Sequence, residues 1–301
     1  MLLAPVHVIA GDHDKELGSL SAFYDGLTAD PLPKSLLVQG VRCLFLDVVG
    51  PGKGGPDFRL GDEQHLWLEK EMEKATEKNE GIILFMHTYP DDLIKEMEKT
   101  ALNKLIAEHE VVLVDMGHTH YNELSNDGHT IFSATRSTGQ IEEGPVGYSL
   151  ITVDEGIVSW RFKPLADAFP FVLITAPADH RLVRKKEQLM TGRVEVRAVV
   201  FGARKIVRVS CWQEEDAWIF MKQEGGTWKA TIDVPTERLV TLTVEAGDER
   251  GRPGRHMIRI ATPSYELPTR VKKGSDADSI GAWPENGIFG TQLGPNRNAR
   301  P

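Results

Sequence analysis

Three short stretches of this 301-residue chain carry residues able to do chemistry, and all three share one design. Val112-Leu113-Val114-Asp115-Met116 is an apolar run that ends in Gly117-His118-Thr119-His120. Ile82-Ile83-Leu84-Phe85-Met86 stops at His87-Thr88-Tyr89-Pro90. Val6-His7-Val8-Ile9-Ala10 runs into Gly11-Asp12-His13-Asp14. Ligands of open α/β sheets sit beyond the carboxyl ends of the strands. Imidazole and carboxylate delivered from three such ends suit one shared transition-metal site. Each residue also has a plainer reading. His118 and His120 could be polar residues closing a strand, and His87 a capping or core histidine. Asp12 and Asp14 could be turn formers after Gly11, with His13 exposed between them.

The elements that must position these residues can be read in chain order. Val6 to Ala10 predicts a buried strand, and a short helix follows around Leu20 to Leu27. Val41 to Val49 reads as an interior strand, and Pro51 to Pro56 as a loop. Asp62 is placed as an N-cap. Leu66, Trp67, Met72 and Ala75 then follow at helical spacing, predicting an amphipathic helix over Asp62 to Glu77. Ile82 to Met86 is a strand. Asp91 or Asp92 caps a second helix with Leu93, Ile94, Met97, Leu102, Leu105 and Ile106 as its apolar positions. Val111 to Met116 is again a buried strand. This alternation is the signature of an α/β domain.

After the histidine pair the pattern changes to closely spaced strands at Thr130 to Ala134, Tyr148 to Val153 and Ile157 to Phe162. Asp154-Glu155-Gly156 makes the last two a hairpin, and all three strands are expected to form or join a second sheet. The predicted organisation is a first domain over residues 1–163, a linker over 164–170, an all-β Ig-like sandwich over 171–262 and an irregular tail over 263–301. The sandwich rests on seven short strands with turn signals between them. Its Trp212, Trp218 and Trp228 read as core residues rather than a ligand cage. No internal repeat, nucleophilic serine triad, Walker loop or dinucleotide fingerprint is visible.

The ligand loops resemble the ordered motifs of the calcineurin-like metallophosphoesterases. Gly11 to Asp14 looks like that family's Gly-Asn-His-Asp/Glu motif, His87 like its lone histidine after a strand, and Gly117 to His120 like its Gly-His-x-His. The resemblance covers roughly the first half of the chain. It implies an α/β sandwich of sheets flanked by helices, incomplete at the N-terminus, and metal-dependent hydrolysis of phosphoesters by a metal-bound hydroxide. It also implies divalent cofactors, two in the complete family site, of the manganese, iron or zinc type. Carried over residue by residue, Asp12, His87 and His118 would hold one metal and His120 the other. His13 would lie just outside and protonate the leaving oxygen. The Gly-His-Thr-His sequence is closest to the cyclic-nucleotide phosphodiesterase branch.

Two departures stand out. The family's first two motifs, an Asp-x-His and a Gly-Asp, are absent. Their absence removes the bridging carboxylate and leaves the second metal only His120. The expectation is that DNA upstream of Met1 encodes them, because the family's missing segment also supplies central strands, whose loss would leave backbone groups unpaired and apolar faces exposed. Asp12 also stands where the family usually has Asn. A carboxylate binds a cation more strongly but offers no amide donor to a phosphoryl oxygen. Asp14 and Asp115 are the nearby carboxylates in sequence, and Arg136 reads as a surface residue rather than a phosphate contact. A noncatalytic binding protein with a degenerate metal site and an Ig-like interaction module is the competing reading. A third makes the Ig-like module a clamp over the first domain.

Bulk properties narrow the field. A net charge of −9 argues against nonspecific nucleic-acid or anionic-membrane partners and leaves a small phosphoester substrate open. Cys43 and Cys211 fall in strands of different domains, so no disulfide is expected, which favours a reducing, cytoplasmic setting.

Overall fold

Six strands make the sheet on which the ligand loops stand. In the computed structural model, which describes residues 4–15, 18–27, 29–214, 216–236, 239–269 and 278–290, these are β1 (Lys34–Val38), β2 (Val41–Phe45), β3 (Gly81–Phe85), β4 (Val111–Met116), β5 (Glu123–Asn126) and β6 (Ile131–Ala134). Their order is β1-β2-β3-β4-β6-β5. The pairs β2–β3, β3–β4 and β4–β6 are parallel, so β2, β3, β4 and β6 all point the same way. β1 and β5 are antiparallel edges.

Helices cover one face. α2 (Asp62–Glu77) buries Leu68, Met72 and Ala75, spaced four and three residues apart, against Leu44, Ile82, Leu84 and Val114 of the sheet. α3 (Glu96–Glu108) adds Leu102, Leu105 and Ile106. A short α1 (Ser21–Leu27) precedes the sheet. On the opposite face Ile83, Val112, Leu113 and Ile131 pack against the hairpin β7 (Gly147–Asp154) and β8 (Ile157–Pro164) through Val158, Trp160 and Phe162. Glu155 and Gly156 both have positive φ, 53° and 79°, the backbone that a tight hairpin turn requires. The expected second sheet is therefore this hairpin, whereas the predicted strand at Thr130 to Ala134 joins the main sheet as β6 beside β4.

Three local expectations are corrected. Val6 to Ala10 is not a strand: Val6 is 62% exposed, and burial is reached only at Ala10. The outer edge of β2 is already occupied by β1, through a turn at Gln39 and Gly40 with φ of 48° and 83°. β1, rather than Val6 to Ala10, is the strand that pairs with that edge. Asp62 is the first helical residue rather than the cap, which is Gly61 at φ 78°. The carboxylate is still placed well at the positive end of the helix. Neither Asp91 nor Asp92 caps α3, whose N-cap is Lys95. Asp92 instead accepts from Thr88 Oγ1 at 2.6 Å, within the loop that follows β3.

One buried ion cluster locks β2 to α2 at the end of the sheet away from the ligand loops. Arg42 Nε donates to Glu80 at 2.7 Å, and its Nη1 donates to Glu71 at 3.1 Å and Ser35 Oγ at 3.0 Å. Removing the guanidinium leaves Glu80 without its ion pair and Glu71 with only the exposed Lys74, both carboxylates having little solvent access. Arg42→Ala is expected to cost about 3–5 kcal/mol, read as a lower urea midpoint. Arg42→Ala combined with Glu71→Gln and Glu80→Gln should recover part of that loss.

The second unit is a β-sandwich of two antiparallel four-stranded sheets. One holds β9 (Phe171–Ala176), β10 (Gly192–Phe201), β13 (Lys222–Glu224) and β14 (Thr227–Val234), in the order β13-β14-β10-β9. The other holds β11 (Ile206–Gln213), β12 (Ile219–Phe220), β15 (Val240–Asp248) and β16 (Pro253–Ile260), in the order β12-β11-β15-β16. Alternation sends Val209, Cys211, Leu242 and Val244 into the core. The same alternation turns Trp212 outward. It stacks on Trp218 with ring centroids 4.3 Å apart, and Trp218 is 47% exposed. Only Trp228 of the three tryptophans packs against the core. Cys43 and Cys211 are buried and unbonded.

The segment between the two units is not a free tether. Lys163 is buried, donates to the carbonyls of Pro164 and Asp167, and lies over the ring of Phe169. Residues 278–290 return to the first domain. Trp283 and Ile288 join the apolar layer beneath the sheet, and Ser279 bridges Ser125 of β5. No helix among the described residues is long and apolar enough to cross a membrane.

Candidate metal centre

The parallel direction of β3 and β4 decides where the histidines meet. His87 lies two residues past β3 and His118 two past β4, so both stand at the same edge of the sheet. Gly117 N donates to the carbonyl of His87 at 3.1 Å and holds the two loops together. The imidazole centroids are 5.4 Å apart. Phe58 is fully buried and forms the wall behind them, with its ring 4.8 Å from that of His118 and 5.9 Å from that of His87. Nothing in the local sequence of the 51–60 loop marks Phe58 as part of the site.

The third component arrives from the N-terminal segment. Asp12 to Lys15 form one turn of 3-10 helix, closed by Gly11 N donating to Asp14 Oδ2 at 2.8 Å. Asp14 is thus used to shape the turn, which leaves Asp12 to face the histidines. Gly11 is required by packing: a Cβ there would lie 2.7 Å from Cε1 of His87. Lys15 donates to the carbonyl of Gly50 at 2.7 Å and pins the turn to the loop after β2.

Asp12, His87 and His118 form the one group of three metal-ligating side chains among the described residues whose ligand atoms all lie within 4.8 Å of one another. Asp12 Oδ1 is 2.9 Å from His87 Nε2 and 3.7 Å from His118 Nδ1. Asp12 is only 3% exposed. Burial alone would raise its pKa, but the two imidazoles outweigh that and hold it well below the usual carboxylate range. A buried, ionised carboxylate facing two imidazoles is a donor set that would suit a divalent cation. These residues therefore fit a single ion.

His120 and His13 border this group without entering it. His120 has a lowered pKa, through burial first and then through the proximity of His118, His13 and His87. His13 is exposed on the same turn as Asp12. The loop carrying the pair is conformationally unusual: His118 and His120 both have positive φ, 55° and 63°. Such backbone is uncommon outside glycine and is held only where the surroundings impose it. The local sequence carries no sign of it.

The surroundings include residues distant in sequence. Asn122 Nδ2 and Arg136 Nη2 both donate to the carbonyl of Gly287, at 2.9 and 2.5 Å. Arg136 N donates in turn to Asn122 Oδ1, and Asn122 N to Glu143. Arg136 is 3% exposed and lies between the rings of Phe162 and Phe289, at 4.2 and 4.9 Å. The surface role read from sequence is thereby corrected: Arg136 ties the loop after His120 to the C-terminal segment. Asp115 is also not at the centre's open face. It is half-buried in β4, accepts from Ser133 Oγ, and has its pKa pushed up by desolvation to about 6.

Residues 1–122 match the model of the calcineurin-like phosphoesterase family. No curated protein matches the chain. Among solved structures, a modular endo-β-1,4-mannanase from Cellulomonas fimi is 16% identical, over 65% of this chain and 42% of its own, with a TM-score of 0.25. This chain thus spans less than half of that mannanase. Fibronectin(III)-like modules of Clostridium thermocellum CbhA are 15% identical over 51% of this chain and 85% of theirs, with a TM-score of 0.23. An expansin from Clavibacter michiganensis is 14% identical over 50% of this chain and 77% of its own, with a TM-score of 0.19.

Proposed function

We propose, from the premise that residues 1–122 belong to the calcineurin-like phosphoesterases, that this chain hydrolyses phosphoesters at a centre built by Asp12, His87 and His118. The observation that carries the reading is the convergence of these three residues, up to 106 positions apart in sequence, on one small volume. A divalent ion bound there supplies Lewis-acid activation of water and neutralises charge on the phosphoryl group.

The protein residues divide the remaining work. Asp12 contributes the negative charge that offsets the cation, and Phe58 excludes water from one side of the imidazoles. His120 adds a third imidazole beside His87 and His118, for a phosphoryl oxygen or a further ion. His13, exposed on the Asp12 turn, takes the general-acid role toward the departing oxygen in this proposal, a role for which histidine is the most common side chain. The β-sandwich, in this proposal an Ig-like module, contributes no residue to the trio.

The test is hydrolysis of a chromogenic phosphodiester with added manganese by the wild type, Asp12→Ala and His87→Ala. Turnover by the wild type and its loss in both variants is expected. Equal rates in all three would defeat the proposal. One observation favours the competing reading of a noncatalytic metal-binding protein: among the described residues a single three-residue group is present where two-ion hydrolysis needs more. Tight metal binding with no turnover in the same assay would select that reading.

A further inference from the structure

A cavity lies away from the metal-binding trio, where the β7–β8 hairpin, the 164–170 segment, β16 and the C-terminal turn meet. It has a volume of about 490 Å³, within the range of small-molecule sites. Two guanidinium groups, Arg136 and Arg161, stand in its wall beside Phe162, Phe171 and Phe289.

The charge of Arg161 is poorly answered by the protein. Nη1 donates to the carbonyl of Val172 at 2.6 Å, and the group lies 4.5 Å from the centroid of Phe171. No carboxylate of the described residues makes an ion pair with it, and Nε is buried without a partner. Burial accordingly pulls its pKa down to about 10, with Asp167 only partly opposing. Arg136 is similar. Its nearest carboxylate oxygen, on Glu143, is 4.0 Å away, and its Nε is also buried without a partner. Asp167, Glu285 and Arg255 complete the charged lining, and Arg255 is already paired with Glu245 at 2.6 Å.

A buried cation without a counter-ion is costly, and a guanidinium fork matches an oxyanion in shape and charge. Flat aromatic and proline surfaces alongside favour a ligand with a planar or apolar body. We infer that this cavity binds a small molecule carrying a carboxylate, sulfonate or phosphate group on a flat apolar body, with Arg161 taking the anion and Arg136 adding positive charge beside it. Because the walls come from both structural units and from the returning C-terminal segment, such a ligand would bind all three together.

Calorimetric titration with benzenesulfonate, and with its neutral analogue benzenesulfonamide, tests this. The wild type should bind benzenesulfonate one to one and at least about tenfold more tightly than the amide. Arg161→Gln should weaken the anion by about tenfold or more. Arg161→Gln carries a risk to folding, so Ala168→Trp, which fills the mouth at an exposed residue, provides a second arm and should also block binding. His118→Ala should leave binding intact, which separates this cavity from the metal centre. The inference is overturned by equal affinity for the two probes, by absence of binding at millimolar concentration, by wild-type affinity in Ala168→Trp, or by loss of binding in His118→Ala.

Discussion

Replacing His118 with alanine is expected to weaken divalent-metal binding by at least about 100-fold, beyond the ~10–100-fold that follows loss of an outer partner alone. The imidazole supplies one of three ligand atoms, and its Nδ1 stands 3.7 Å from the buried Asp12 oxygen. Without it, Asp12 and His87 remain as a pair that cannot enclose an ion. The loss should be specific. His118 lies in a loop beyond β4 and forms no part of the core beneath the sheet, so the metal-free melting temperature should stay close to that of the wild type. Calorimetric titration with manganese, paired with a thermal melt in a chelator, checks both halves. An unchanged affinity, or a collapse of the metal-free melt, would contradict the assignment.

Acid should destabilise the protein through His256, far from the metal centre. Nδ1 of His256 accepts from the backbone N–H of Ile174 at 3.0 Å, so the neutral ring carries its proton on Nε2, 3.2 Å from Asn286 Oδ1. Protonating Nδ1 would set one donor against another. Burial is the main cause that pulls its pKa down to about 3; nearby Arg161 adds to this, and Asp179 opposes it. The unfolded chain binds a proton near pH 6.5 and the folded chain does not, so stability is fully present above pH 6.5. It is lost progressively between pH 6.5 and about 3. From pH 6.5 to 4 the expected loss is about 3 kcal/mol. Other groups titrate over the same range, including Asp115 with the opposite sign. The contribution is therefore read as the difference between wild type and His256→Leu in urea midpoints measured at several pH values. Parallel pH curves for the two proteins would refute it.

What could be read from sequence followed the range of the forces involved. α2 and β4 were legible to their terminal residues, because periodic burial of Leu68, Met72 and Ala75 and the continuous run Val111 to Met116 are local patterns. The three ligand loops were legible because an apolar strand that stops at histidine or aspartate is itself unusual. Val6 to Ala10 misled because strand-like composition is local, whereas a strand needs a pairing partner, and β2 takes β1 instead. The positive φ of His118 and His120, the Phe58 wall and the hold of Asn122 and Arg136 on Gly287 all arise from contacts between distant residues. Short-range propensity carries no record of them. The tryptophans show the same limit, since composition placed them in a core, whereas strand alternation turned Trp212 outward onto Trp218.

The most direct test of the central claim is the metal content of the purified chain, loaded with manganese or zinc and freed of excess ion by gel filtration. Asp12, His87 and His118 should retain one ion per chain, and the triple alanine variant should retain close to none while keeping its fold by circular dichroism. Equal metal in the wild type and the triple variant would place the ion elsewhere and contradict the account.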